Sequence, residues 1–224
     1  MAGASPGTVR AVVFDLDGLL IDTEPVFREA ATRLLAGHGI PPDPAFMQAI
    51  MGVPGRDALP RFRDHFRLTV PLEEVERGYR HFFFEVLQSG PAPLMPGAAE
   101  LLAALEACRI PKVIATSSGR DYVRVVFGPH GLLDRFAFVL TCEDVTHGKP
   151  HPEVYELAAR RLGLPPADVL VLEDSPVGMR AAKAAGCRCV VVPHEHTPRA
   201  DLVPADAVVE SLAASELWRM IGIV

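Results

Sequence analysis

The sequence predicts an α/β fold in which a doubly wound parallel sheet carries an inserted all-helical domain. Residues 9–14 are a short, β-branched apolar run without alternation, which is typical of a strand buried on both faces. From residue 90 onwards, similar apolar runs alternate with segments of helical periodicity, the pattern of a doubly wound parallel sheet. Residues 19–89 show helical periodicity without a convincing strand. We therefore predict a core domain of residues 1–18 and 90–224 and a helical domain of residues 19–89.

The helical domain begins with a predicted helix over residues 24–38. Val26, Ala30 and Leu34 share one face of this helix, and Thr23 is a suitable N-cap residue. Because the domain is inserted directly after the first strand, we expect it to lie over the carboxyl end of that strand as a lid. Three further helical patterns complete the domain, at residues 44–50, 56–66 and 72–87.

The rest of the core domain alternates between helices and strands. This spacing of the two element types is what implies a parallel sheet. Helices are predicted at residues 97–108, 120–129, 152–162, 176–185 and 212–220, and strands at residues 112–116, 136–142, 169–173, 189–193 and 207–209.

Composition and charge exclude several classes of protein. The net charge of −6 argues against the basic surface that nucleic-acid-binding proteins carry. No apolar stretch approaches the ~20 residues that span a bilayer. The first ten residues lack the apolar core of a signal peptide, and four cysteines in 224 residues do not indicate a disulfide scaffold. We therefore expect a cytoplasmic protein that binds neither nucleic acid nor membranes. With no coiled-coil pattern and no obvious apolar patch, a monomer is expected.

Two carboxylates, Asp15 and Asp17, follow the first strand at a spacing of two residues. A strand has a period of two, so both acids lie on one side at the carboxyl end, where open α/β sheets bind ligands. Two adjacent anions repel each other unless a cation or a proton lies between them. A strand followed by a simple Asp-Gly turn would explain Gly18 but not the pair of acids. We therefore interpret the pair as functional.

Other polar residues follow the later strands of the predicted sheet. Thr116 and Ser117 follow the second strand, Lys149 comes after the third, and Glu173 and Asp174 end the fourth. Together with the first acids they offer oxygen ligands for a cation, donors for anionic oxygens and one ammonium. This set of groups is suited to phosphoryl transfer with Mg²⁺, which prefers hard oxygen ligands.

The chain resembles the haloacid dehalogenase-like phosphohydrolase superfamily over nearly its whole length. The helical insertion is similar to the cap of the β-phosphoglucomutase-like subgroup, and residues 94–97, 115–119 and 147–150 are similar to its pseudouridine-5′-phosphatase and sugar-phosphatase branch. The resemblance implies a Mg²⁺-dependent phosphomonoesterase for a small phosphorylated sugar or nucleoside. The matching motifs occur in the family's order: Asp15-Leu16-Asp17-Gly18, Thr116-Ser117-Ser118, Lys149 and Glu173-Asp174.

The resemblance also implies the catalytic roles. Asp15 is expected to be the nucleophile that forms an aspartyl-phosphate, and Asp17 the general acid and base. Thr116 and the backbone amide of Ser117 are expected to bind the phosphoryl group, and Lys149 to neutralise its charge. To act as an acid at neutral pH, Asp17 needs a raised pKa, which a neighbouring anion and burial would supply.

The metal site implied by the resemblance contains four residues. Mg²⁺ is expected to be bound by Asp15, by the backbone carbonyl of Asp17 and by Asp174, with Glu173 nearby or acting through a water molecule.

Four further residues are candidates for substrate contact, each with a structural alternative. Asp22 and Glu24 follow the first motif, but they also fit an acidic first turn of a helix capped by Thr23. Arg56 matches a specificity loop of the subgroup, and its alternative is a solvated surface residue. Ser118 extends the phosphate motif, although Ser-Gly is also a good helix start.

A group of two histidines and one further histidine invite comparison with metal ligands. His194 and His196 flank Glu195, and His147 lies two residues before Lys149. We interpret the first group as a polar loop and His147 as a surface residue or a supporting neighbour of the site.

Two alternative functions remain open. A phosphosugar mutase would use the same aspartyl-phosphate, but the mutases of the subgroup carry a histidine in the first cap helix where this chain has Phe27. A non-catalytic phospho-aspartate signalling module also needs acids, a hydroxyl and a lysine. Receiver domains are about half this length, however, and their acceptor ends a middle strand, whereas here that strand ends in Thr116.

Overall fold

The computed structural model describes residues 8–50, 53, 55–193, 197 and 199–223. The chain forms two compact units, one with the residues up to 22 and from 93 onwards, and one with residues 23–92.

The first unit contains a parallel sheet with the strand order β3-β2-β1-β4-β5-β6. Its strands are β1 Ala11–Phe14, β2 Lys112–Ala115, β3 Val139–Leu140, β4 Val169–Glu173, β5 Arg188–Val191 and β6 Ala207–Val208. Every residue of β1, β2 and β4 is buried, as expected for strands covered on both faces. β1 lies between β2 and β4, so β2 and β3 extend the sheet on one side of β1 and β4 to β6 extend it on the other. Ligands of open α/β sheets bind at such a switch point, where the strand order reverses. The predicted doubly wound α/β fold is confirmed.

The second unit is helical throughout its described part, with α1 Glu24–Gly37, α2 Pro44–Ala49, α3 Gly55–His65 and α4 Leu72–Ser89. Its core contains Leu35, Phe62 and Val75. Phe27 of α1 lies against two rings of α4, with centroid distances of 6.4 Å to Tyr79 and 4.9 Å to Phe83. These contacts hold α1 against α4 and place an aromatic side chain at position 27.

The helices of the first unit are α5 Ala98–Ala107, α6 Arg120–Phe127, α7 Glu153–Leu162, α8 Pro176–Ala184 and α9 Ser215–Ile221. Tyr155 of α7 and Met179 of α8 pack with Val13 and Val171 of the sheet in one buried cluster. Burial of a valine or methionine side chain contributes roughly 1.5–3 kcal/mol, so this cluster fixes α7 and α8 against the strands.

The boundaries between the units lie a few residues beyond the ones that the sequence indicates. Leu20 and Ile21 are buried, and Ile21 forms a β-bridge with Leu94. The amide of Met95 donates to the carbonyl of Leu20 at 2.9 Å. These bonds join residues 19–22 to the chain that returns after residue 92, so the division falls at 22/23 and 92/93.

The third strand is much shorter than the predicted 136–142. β3 contains two residues, because Thr141 ends it as the cap of a 3₁₀ turn at Cys142–Asp144. The Thr141 hydroxyl accepts from the Glu143 amide at 3.3 Å, while the Asp144 carboxylate accepts from the Thr141 amide at 2.9 Å. This capping box replaces further pairing with β2.

Three smaller expectations also need correction. Thr23 precedes α1, but it has helical backbone angles and its side chain makes no capping hydrogen bond, since capping requires an extended conformation. β1 begins at Ala11 instead of residue 9. The last helix begins at Ser215 instead of residue 212, after an Ala214-to-Ser211 turn. Among the described residues, no helix combines the length and apolarity that a membrane crossing requires.

Candidate active site

Lys149 connects the carboxyl ends of three neighbouring strands. Its Nζ lies 2.5 Å from Oδ1 of Asp15, which directly follows β1, and 2.6 Å from Oε1 of Glu173, the last residue of β4. A third bond of 3.0 Å runs to the carbonyl of Ala115 at the end of β2. An ammonium has three donors, and each one meets an acceptor here. Asp15, Lys149 and Glu173 are all buried.

The three carboxyl groups beside this lysine carry more negative charge than one ammonium balances. Burial raises the pKa of Asp15 to about 7, although Lys149 acts in the opposite direction. Burial also raises the pKa of Asp174 well above its usual range, and Asp15 and Glu173 add to that effect. For Lys149, burial lowers the pKa, but Asp15 and Glu173 outweigh it and keep the ammonium charged. The cluster therefore favours uptake of a proton or a further cation.

The donor atoms in this cluster fit a divalent metal ion. Asp15, Glu173 and Asp174 each offer a carboxylate oxygen, and these oxygens lie within 4.8 Å of one another. Gly18 has a φ of 77°, and a Cβ at this position would overlap Oδ2 of Asp174. The absence of a side chain at Gly18 therefore permits Asp174 to approach the first motif. Hard, charged oxygens in such a group suit Mg²⁺ and similar cations.

In the described structure, hydrogen bonds reach both carboxylate oxygens of Glu173, whereas the bond from Lys149 reaches only Oδ1 of Asp15. Besides Lys149, Oε1 accepts from the Tyr155 hydroxyl at 2.5 Å, and Oε2 accepts from Ser175 Oγ at 3.0 Å. A Cβ at Gly178 would overlap this carboxylate, so the close approach of α8 also depends on glycine. Asp15 and Asp174 are thus the more open ligands of the three, while Glu173 orients Lys149.

Asp17 receives two hydroxyl groups from the segment that follows β2. Ser118 Oγ donates to Oδ2 of Asp17 at 2.9 Å, and the Tyr122 hydroxyl donates to Oδ1. The two donors fix the orientation of the Asp17 carboxyl group. Ser118, a candidate for substrate contact, thus bonds to Asp17, and its contact with substrate stays a prediction.

The predicted phosphate-binding residues follow β2. Thr116 is buried, and its Oγ1 accepts from the amide of Ser118 at 3.0 Å. Ser117 is exposed at the turn into α6. The turn therefore brings a buried hydroxyl and successive backbone amides to the same edge of the sheet as Asp15.

Sequence reasoning missed Tyr122 and Tyr155, and it gave no specific role to Ser175, which follows Glu173 and Asp174 at the end of the fourth strand. Tyr155 lies on the buried face of α7 among apolar residues, and its local sequence gives no sign of a polar partner. The Ser175-Pro176 pair is a helix-start signal, and Ser175 does cap α8 by accepting from the Gly178 amide at 3.1 Å. Nothing in the local sequence distinguishes Tyr122.

The remaining candidates do not join this cluster through any described contact. Asp22 is partly buried, and its amide donates to the Pro93 carbonyl at 2.9 Å. Glu24 lies in the first turn of α1, 3.9 Å from Arg28, and belongs to the helical unit. Arg56 is in α3, but its side chain lies outside the described part of the structure. The segment from His194 to His196 also lies outside the described residues.

The sequence profile of the haloacid dehalogenase-like hydrolase family matches residues 9–186, a span that includes β1, Lys149 and β4. The chain belongs to this family. It is 35% identical over 214 residues to validoxylamine A 7′-phosphate phosphatase of Streptomyces hygroscopicus subsp. limoneus, covering 95% of this chain and 98% of the relative. A Drosophila melanogaster relative, named as a probable pseudouridine-5′-phosphatase, is 38% identical over 212 residues, covering 92% and 90% of the two chains.

A solved structure shares the fold of this chain. CbbY from Rhodobacter sphaeroides in complex with phosphate has a TM-score of 0.77 and 30% identity, covering 92% of this chain and 96% of that one. The resemblance drawn from the four motifs is thereby confirmed at the level of the family.

Proposed function

We propose that this protein is a phosphatase that hydrolyses phosphomonoesters of small sugars or nucleosides through an aspartyl-phosphate. The observation that carries the proposal is the group of Asp15, Asp174 and Lys149 at the carboxyl ends of β1 and β4. Asp17 follows Asp15 by two residues. The names of the relatives support it, since two of them refer to phosphates of small hydroxylated molecules.

Asp15 is the proposed nucleophile. Lys149 binds its Oδ1, so Oδ2 forms the new bond to phosphorus while the bond from phosphorus to the leaving oxygen breaks. The ammonium of Lys149 reduces the repulsion between the carboxylate and the phosphate, and Glu173 keeps Lys149 in place. Thr116 and the amide of Ser117 are proposed to bind the phosphoryl oxygens.

Asp17 is the proposed general acid and base. It donates a proton to the leaving oxygen and then takes one from the water that cleaves the phosphate from Asp15. Ser118 and Tyr122 hold its carboxyl group, and both hydroxyls can rotate to accept when the carboxyl is protonated. Their role in this proposal is to keep one orientation through both steps.

We propose that the divalent metal is Mg²⁺, bound by Asp15 and Asp174 with the backbone carbonyl of Asp17, while Glu173 is nearby. When bound, Mg²⁺ supplies positive charge that offsets the charge of the phosphoryl oxygens. The oxygen donor set supports this choice, and the repulsion among Asp15, Glu173 and Asp174 favours a cation between them.

The helical unit is proposed to act as the cap that selects the substrate, with Asp22, Glu24 and Arg56 as candidate contacts. Phe27 favours hydrolysis over a mutase reaction, because it is an aromatic residue packed against Tyr79 and Phe83 and provides no imidazole for a phosphosugar. The expectation of a cytoplasmic monomer stays a prediction.

The test is phosphate release from a panel of phosphomonoesters at neutral pH with Mg²⁺. The panel contains pseudouridine 5′-phosphate, hexose, pentose and glycerol phosphates and nucleoside monophosphates. β-Glucose 1-phosphate is also assayed for conversion to glucose 6-phosphate. Release from one or a few members is expected and names the substrate class. Conversion of the glucose phosphate without release would mean a mutase, and no reaction of any kind would overturn the proposal.

A further inference from the structure

A second group of metal-binding side chains lies in the segment that leads into α7. His147, His151 and Glu153 each offer a ligand atom, and these atoms lie within 4.8 Å of one another. Nδ1 of His147 lies 3.1 Å from Oε2 of Glu153, and Nδ1 of His151 lies 3.9 Å from the same oxygen. The two imidazole rings have a centroid distance of 4.6 Å.

The backbone of this segment holds the three side chains together. The amide of His151 donates to the Gly148 carbonyl at 3.0 Å, which closes the turn between the two histidines. The Glu153 carboxylate accepts from the amides of Thr146 and His147, each at 2.9 Å. These backbone bonds hold the pKa of Glu153 below its usual range, so the carboxylate is ionised at neutral pH.

The separations suit a small transition-metal ion. Zinc binds imidazole nitrogen and carboxylate oxygen at about 2.0–2.2 Å, which places neighbouring ligand atoms of a tetrahedron roughly 3.3 Å apart. The separations of 3.1 Å and 3.9 Å lie on either side of that value. Two imidazoles and one carboxylate favour Zn²⁺, Ni²⁺ or Cu²⁺ over Mg²⁺, which prefers oxygen ligands alone.

We propose that His147, His151 and Glu153 form a surface site for Zn²⁺ or a similar transition-metal ion, separate from the acidic cluster of Asp15 and Asp174. Both histidines are exposed, so water would complete the coordination. Because the segment also carries Lys149, a bound ion would fasten the lysine-bearing turn to the first turn of α7. Binding is therefore expected to raise the melting temperature of the folded protein.

The experiment is a Zn²⁺ titration by calorimetry on untagged, chelator-treated protein. Wild type is compared with the single variants His147→Ala and His151→Ala, and with His38→Ala, which removes an exposed histidine of the helical unit. The expected result is a binding event present in wild type and His38→Ala and lost in both other variants. The melting temperature is expected to rise more with Zn²⁺ in the same two proteins than in the other two.

Any zinc that binds to the acidic cluster or to free thiols is common to all four proteins, so only the difference between them counts. Equal Zn²⁺ stoichiometry and affinity in all four proteins would overturn the proposal, and so would an equal loss in His38→Ala. Far-UV circular dichroism of the metal-free variants shows whether they are folded. The more conservative variants His147→Gln and His151→Gln are titrated as well, so that a loss of zinc binding in a folded variant excludes misfolding as its cause. The readout is metal binding, so its failure is independent of the proposed phosphatase activity.

Discussion

Lys149 shows how one side chain joins parts of the sequence that lie far apart. It is 134 residues from Asp15 and 24 residues from Glu173, yet it contacts both in a buried setting. A buried ammonium is stable only where acceptors surround it, and loss of one partner of such an ion pair is costly. The chemistry of the site therefore depends on side chains whose positions stabilise one another.

Asp15→Asn is expected to eliminate phosphate release, with a loss of roughly 10⁴-fold or more, because an amide cannot form the acyl-phosphate. The fold should persist, since asparagine has the same size and can still accept from Lys149. The measurement is phosphate release with Mg²⁺, with circular dichroism for the fold. Asp121→Asn is the matched control, because the Asp121 side chain is 92% exposed in the first turn of α6. A clearly active Asp15→Asn enzyme would end the covalent mechanism.

Tyr155→Phe is expected to lower the free energy of unfolding by about 1.5–3 kcal/mol, the range for a hydrogen bond to a charged group. The substitution removes the donor to Oε1 of Glu173 while it retains the buried ring. Tyr79→Phe is the control, because its hydroxyl donates to the neutral backbone carbonyl of Phe27 at 3.3 Å. That change should cost about 0.5–1.5 kcal/mol. Urea unfolding measures both, and an equal cost would argue against a special role for Glu173.

At the scale of secondary-structure elements, the site lies at the carboxyl ends of the central strands β1 and β4. β1 and β4 run parallel with Phe14 opposite Leu172, so the next residue of each strand, Asp15 and Glu173, emerges at the same level. The turns behind these strands must then pass close to each other. Gly18 and Gly178 occupy positions at this end of the sheet where a Cβ would overlap an acidic side chain.

Gly18→Ala is expected to impair the site more than an equally strained substitution elsewhere. A left-handed backbone costs a non-glycine residue roughly 1–2 kcal/mol, and here the new methyl group would also displace Asp174. Gly163→Ala is the matched control, with a φ of 67° and no atom within 4 Å of the added Cβ. Urea unfolding and the Mg²⁺ concentration for half-maximal activity are measured for both. A higher Mg²⁺ requirement is expected for Gly18→Ala alone, and an unchanged requirement would remove Asp174 from the metal site.

At the scale of the whole molecule, the candidate catalytic residues and the apolar core of the helical domain belong to different units. The sheet unit holds the acids and Lys149, while the helical unit has its own apolar core around Leu35 and Phe62. The excess of acid in the sheet unit's cluster also affects the stability of the protein as a whole, because the folded state must hold these groups together.

The contribution of Asp15 to the stability of metal-free protein is expected to fall between pH 4 and pH 7. The pKa of Asp15 in the folded protein, about 7, exceeds its ordinary value of 3.8, so the folded state binds more protons than the unfolded chain between these values. The favourable contribution of Asp15 is present at low pH and is lost as pH rises through about 7. Relative to Asp15→Asn, wild type should lose on the order of a few kcal/mol across this range.

Urea unfolding at pH 5 and pH 8, with and without Mg²⁺, tests this expectation. Mg²⁺ should stabilise wild type more at pH 8, because protons compete with the metal for Asp15 and Asp174 at pH 5. Parallel pH profiles for wild type and Asp15→Asn would contradict it.

The sequence by itself determined the parallel sheet and the set of reactive groups, because strand periodicity and the alternation of elements are local properties. Asp15, Asp17, Lys149 and the Glu173-Asp174 pair could be assigned to strand ends without coordinates. Only the tertiary structure decided that Tyr155 and Ser175 hold Glu173, and that Tyr122 and Ser118 hold Asp17. Tyr122 is 105 residues from Asp17, and its contact depends on how α6 packs against the sheet, which no local pattern encodes.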